Sequence, residues 1–145
     1  MKIIILSLGL TIAMQASAAP STTDIFASCM VDTLNGKERK NLAKWVFFAI
    51  AAHPEIKSYA NTTPQDIEKS DKYVGALITR LLTENCPKEL QAANKEDPLA
   101  LQKGFQLVGQ VAMQELMADQ NVMKAISNYA RYADQDKINE VLSNK

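Results

Sequence analysis

The chain has little of what marks a reactive site. Among 145 residues there is one histidine, His53, and there are two cysteines, Cys29 and Cys86, with no Cys-x-x-Cys spacing. This excludes the clustered His/Cys ligand sets of zinc sites, and the expectation is no metal and no cofactor. Charge of one sign is missing too: 16 Lys and Arg face 16 Asp and Glu. Without a basic excess the chain lacks the electrostatic footprint of a nucleic-acid or anionic-membrane surface. Glycines number only five, and no alternating apolar run bounded by turn residues occurs, so no sheet is expected. No repeat of 20–50 residues and no low-complexity segment is visible.

What is present begins with a leader. Lys2, the apolar run 3–14 and the small-x-small sequence Ala16-Ser17-Ala18 are the three parts of a secretory signal peptide. The run is shorter than the roughly 20 apolar residues that span a bilayer, and no later segment is longer, so no stable membrane insertion is expected. Residues 1–18 are therefore read as a cleavable signal and 19–145 as one exported helical domain, periplasmic or fully secreted. Phe26-Ala27-Ser28-Cys29 has the look of a lipoprotein box, but it stands about a dozen residues beyond the apolar run, too far for lipidation of Cys29. In an oxidising compartment the two cysteines are most simply a disulfide, Cys29–Cys86. Closing a loop of that span stabilises by roughly 4 kcal/mol in the chain-entropy treatment.

Helix punctuation is legible along the rest. Ser21-Thr22-Thr23-Asp24 offers N-caps to a first helix running to Leu34, and Asn35-Gly36 reads as its left-handed stop. A second helix is expected over 37–53, ended or kinked by Pro54. Its stretch 45–52 is apolar on every face, which predicts a central helix packed on most sides, with Trp45, Phe47 and Phe48 in the core. Thr63-Pro64 opens a third helix to about Glu84, with Ile67, Val74, Leu77, Ile78, Leu81 and Leu82 at helical spacing. A short helical turn after Cys86-Pro87 and a polar linker over 92–98 lead to a helix from Asp97-Pro98 to Ala118. Its apolar face carries Leu101, Phe105, Val108, Ala112 and Leu116. Two more segments, 122–133 and a last one capped by Asp134, complete the chain. The fold class is all-α, a single-domain bundle of five or six helices stapled by one disulfide.

Candidate chemistry is sparse. His53 falls at the end of the second helix, where it can cap carbonyls or, as the only group titrating between pH 5 and 8 without a shifted pKa, sense pH. Asp66, Glu68 and Asp71, and likewise Asp134 and Asp136, complement helix N-termini. Asp134-Gln135-Asp136 lacks the glycine and terminal glutamate of a calcium loop. Lys37-Glu38-Arg39-Lys40 reads as a solvated first turn. No catalytic residue emerges.

A small exported helical domain bridged by Cys29 and Cys86 resembles two groups. One is the periplasmic immunity proteins of the Rap and Tai type, which neutralise type VI secretion toxins; the other is the acid-stress periplasmic chaperones. The stretch Ala43-Lys44-Trp45-Val46-Phe47-Phe48-Ala49-Ile50-Ala51-Ala52-His53-Pro54 resembles exported bacterial proteins outside either group. The expectation is a non-enzymatic binding protein with a protein partner, an immunity protein in its most concrete form, gripping through the polar segment 55–71. A stress chaperone is the alternative, and an enzyme of unfamiliar type the remote one.

Overall fold

The computed structural model describes residues 19–143. The leader and its cleavage sequence, at 1–18, and residues 144–145 lie outside the described residues. Eight α-helices and no strand occur among the described residues. They are α1 (Thr22–Thr33), α2 (Gly36–Ala51), α3 (Pro54–Lys57), α4 (Pro64–Arg80), α5 (Pro87–Glu96), α6 (Ala100–Met117), α7 (Gln120–Ser127) and α8 (Gln135–Ser143). A π-helical turn, Leu81–Asn85, extends α4, and a 3₁₀ turn, Asn128–Arg131, follows α7.

The all-α class stands, but the count is eight rather than five or six. The surplus arises at prolines. Pro54 and Pro87 do not merely end what precedes them; each starts a helix, α3 and the ten-residue α5. A proline in the first helical turn has no N–H to leave unpaired and a φ already suited to the helix. The supposed linker 92–98 is consequently helical as far as Glu96.

Several caps form where expected. Ser21 and Asp24 make a reciprocal capping box on α1, Thr63 accepts from the Asp66 N–H ahead of α4, and Asp134 accepts from the Lys137 N–H. The α1–α2 corner differs. No glycine among the described residues has positive φ, and Asn35 is the N-cap of α2, in a capping box with Glu38. Both Asn and Gly suit a helix end of either polarity, and Glu three residues on decides for a start. Glu38 is used twice. One oxygen accepts from the Asn35 N–H at 3.0 Å, and the other from Arg80 Nη2 at 2.6 Å, which ties the start of α2 to the end of α4.

The core lies between α1, α2, α4, α5 and α6, around Phe26, Met30, Leu34, Leu42, Val74, Leu77, Leu81 and Cys86. On α6 the buried residues are Ala100, Gly104, Val108 and Ala112. This strip of mostly small side chains at four-residue spacing lets α1 approach closely. Phe26 and Met30 lie over Gly104, so near that a Cβ added there would stand 2.7 Å from the Phe26 ring. Leu101, expected on the buried face, is exposed. The Sγ atoms of Cys29 and Cys86 are 2.02 Å apart, a disulfide joining α1 to the α4–α5 corner.

A polar seam closes the α1–α5–α6 end. Thr22 Oγ1 donates to Glu96 at 2.7 Å, and Asp97 accepts from Lys103 Nζ at 2.7 Å, the Leu99 N–H at 2.8 Å and Thr23 Oγ1 at 3.4 Å. The Lys103 ammonium first, then the Leu99 N–H, hold the Asp97 carboxyl below the usual carboxylate range. Asp24 is held low chiefly by the Ser21 hydroxyl. A group depressed in the folded state stabilises fully above its unfolded pKa and loses that contribution as pH falls through the folded value. Urea midpoints are therefore expected to drop as pH falls through and below the ordinary carboxylate range, and less steeply in Asp97→Asn. Equal slopes in the two proteins would refute the assignment.

Candidate functional site

The expectation of a central, enclosed α2 does not hold. Trp45 is 37% exposed and Phe47 46%, while Phe48 is half-buried against Phe47. The cause is tertiary. Helix α2 buries Leu42, Ala43 and Ala51, and it packs on α4 along one side and α6 along another. Yet α4 and α6 do not pack on each other. The apolar run is covered from two sides and left open between them.

That opening is a cleft of about 490 Å³, within the roughly 300–1,000 Å³ usual for ligand sites. Its floor is α2, through Leu42, Trp45 and Val46. One wall is α4, with Asp71, Val74, Gly75 and Ile78; the other is α6, with Phe105, Val108, Gly109 and Ala112. The two wall glycines differ from Gly104, because a Cβ on Gly75 or Gly109 would meet nothing within 4 Å. They widen the cleft without easing any packing.

One charged group, Asp71, lines this apolar surface. Trp45 Nε1 donates to Asp71 Oδ1 at 2.9 Å, which spans α2 and α4 and fixes the indole at the cleft edge. A carboxylate at the edge of an indole ring, over an apolar trough, suits a ligand that is apolar along its length and cationic at one end. A second hollow, about 810 Å³, lies where α2 meets the α6–α7 corner. Lys40, Lys44, Glu115 and Asp119 line it, and it is broader and more open than the cleft.

The residues singled out in the sequence are not brought together. His53 is exposed and is the N-cap of α3, with Nδ1 accepting from the Glu55 N–H at 3.3 Å. It thus caps a helix start, not the carbonyls of α2. Asp66 serves Thr63, Glu68 pairs with Lys72, and Asp134 pairs with Lys137. Lys137 holds the Asp134 carboxyl below the usual range. Among the described residues no group of three or more His, Cys, Asp or Glu is placed to hold a metal ion, and no helix is long and apolar enough to cross a membrane. Of the expected gripping segment 55–71, only its last residue, Asp71, reaches the cleft.

Sequence reading missed the cleft because its walls are helices that look complete separately. A usable signal existed in Gly75 and Gly109. An isolated glycine inside a helical pattern costs about 1 kcal/mol against alanine and asks for a packing or functional reason. No family model, curated protein or solved structure matches the chain.

Proposed function

We propose that this chain is an exported, non-enzymatic binding protein of the bacterial periplasm that receives an apolar segment of a protein partner in the α2–α4–α6 cleft. Neutralisation of a secreted toxin is its most concrete form. The observation that carries the reading is the cleft itself: a preformed apolar trough, one carboxylate at its edge, on a disulfide-stapled helical scaffold. A rigid scaffold of this kind binds with little ordering cost. The secretory leader and the cysteine pair support the compartment.

The test is protection of cells that produce the toxin in the periplasm. The full chain is expected to protect, and the chain lacking residues 1–18 is expected not to. Undiminished protection without the leader would contradict the periplasmic assignment. Capture of the tagged exported protein should return one stoichiometric partner.

A second reading, a stress chaperone, draws on a separate observation. The α7–α8 arm exposes Met123, Ile126, Tyr129, Tyr132, Val141 and Leu142. A chaperone would return many weak clients, more of them as carboxylates protonate. Capture at neutral and at acid pH separates the two readings.

A further inference from the structure

We propose that α8 of a second copy of this chain occupies the cleft of the free protein, in a two-fold dimer where each copy gives its α8 and receives its partner's. The inference rests on the reading of the cleft as a docking site.

Three observations converge. First, α8 packs on no other element among the described residues, and α7 touches only α6 and the adjoining 3₁₀ turn. A nine-residue helix gains little from propensity alone, so its stability has to come from packing an apolar face. Second, α8 has such a face: Ile138, Val141 and Leu142 are 45%, 76% and 70% exposed and lie together with Lys137 on one patch.

Third, the two surfaces match in charge and length. The patch is apolar with a cation at its N-terminal end; the cleft is apolar with an anion, Asp71, toward the N-terminal half of α4. From Asp71 to Ile78 the α4 wall rises about 10 Å, and α8 is about 13 Å long. Laid parallel to α4, α8 puts Lys137 over Asp71 and carries Val141 and Leu142 toward Gly75 and Ile78. Lys137 now pairs with Asp134 at 2.9 Å, with both side chains exposed. Such a pair contributes little, so exchanging it costs little. Because one chain carries both halves, the contact repeats about a two-fold axis and closes at two copies.

Trp45, the single tryptophan, sits at the cleft edge and reports occupancy. The experiment follows molecular mass by sedimentation and Trp45 emission as the oxidised, exported protein is diluted. A dimer is expected whose dissociation and red shift of emission coincide. The double substitution Val141→Asp/Leu142→Asp removes the apolar patch, and Gly75→Trp fills the cleft. Each is expected to raise the dimer dissociation constant about a hundredfold, as loss of a central apolar anchor does, read by sedimentation alone in Gly75→Trp because it adds a second indole. All three positions lie outside the buried core, and thermal melts of the variants verify the fold. Mixing the two variants pairs an intact α8 with an intact cleft, so a heterodimer of intermediate affinity should return.

A wild-type protein that stays monomeric, a dimer indifferent to either variant, or variants that fail to associate when mixed would each overturn the dimer. Monomeric wild type together with loss of the captured partner in Gly75→Trp would overturn the dimer alone and leave the cleft as a partner site. A dimer with partner capture unaffected by Gly75→Trp would do the reverse.

Discussion

Removing the disulfide, by reduction or as Cys29→Ala/Cys86→Ala, is expected to lower stability by about 4 kcal/mol. The bond closes a sequence separation of 57 residues, so the unfolded chain loses much freedom when it is made. That loss is a large part of the roughly 5–15 kcal/mol typical of a domain. For a domain of this size it corresponds to a fall in melting temperature of about 15 °C. The bridge also reaches the centre: Cys86 is fully buried and packs in the core cluster beside the α4–α5 corner. Loosening it removes the covalent tie of α1 to that corner and leaves only its non-covalent contacts to the π-helical turn, α5 and α6. Helical circular dichroism during heating, oxidised against reduced, checks this. Coincident melts would mean that the bridge spans segments already held together in the unfolded chain.

The second large effect belongs to the α1–α6 contact. Phe26 is fully buried, and its truncation in Phe26→Ala is expected to cost about 3–5 kcal/mol through lost burial and the remaining cavity. Gly104→Ala on its own should destabilise too, because the added Cβ collides with the Phe26 ring and the end of Met30. Overpacking of this kind costs about 1–3 kcal/mol, offset by about 1 kcal/mol of helix propensity. The double variant is the sharper test. With the ring gone, the end of Met30 can swing into the vacated space and clear the alanine methyl, so the two costs should fall short of their sum by 1 kcal/mol or more, as contacting residues do. Strict additivity in urea unfolding would show that Phe26 and Gly104 do not meet in solution.

These effects bear on what could be read in advance. Caps were legible where a short polar side chain meets an acidic third residue, as at Ser21 and Thr63, because that chemistry is local. The disulfide was legible because two cysteines allow only one pairing. The α1–α6 seam was partly legible: Val108 and Ala112 belong to the expected face, but Gly104 makes the close approach and Leu101 faces outward. Small residues bury well only against a particular neighbour, and a hydropathy pattern weights Leu over Gly. The misreading of α2 has the same origin. An apolar run says that a helix can be covered from all sides; how many helices arrive to cover it depends on loop lengths and partners far along the chain. Here α4 and α6 both reach α2 without reaching each other, and the uncovered remainder is the candidate site. Asp71 was read as a helix-start charge, and its bond to Trp45 crosses between helices, where sequence spacing carries no information.

The central claim is that the cleft between α2, α4 and α6 is the recognition surface. The most direct measurement is quantitative capture from cell extracts by three tagged proteins: the wild type, Gly75→Trp with the cleft filled, and Tyr59→Ala altered in the exposed 55–71 segment. The account predicts one stoichiometric partner held equally by the wild type and Tyr59→Ala and lost from Gly75→Trp. The same partner retained by Gly75→Trp and lost from Tyr59→Ala would place recognition on the polar segment and contradict the claim.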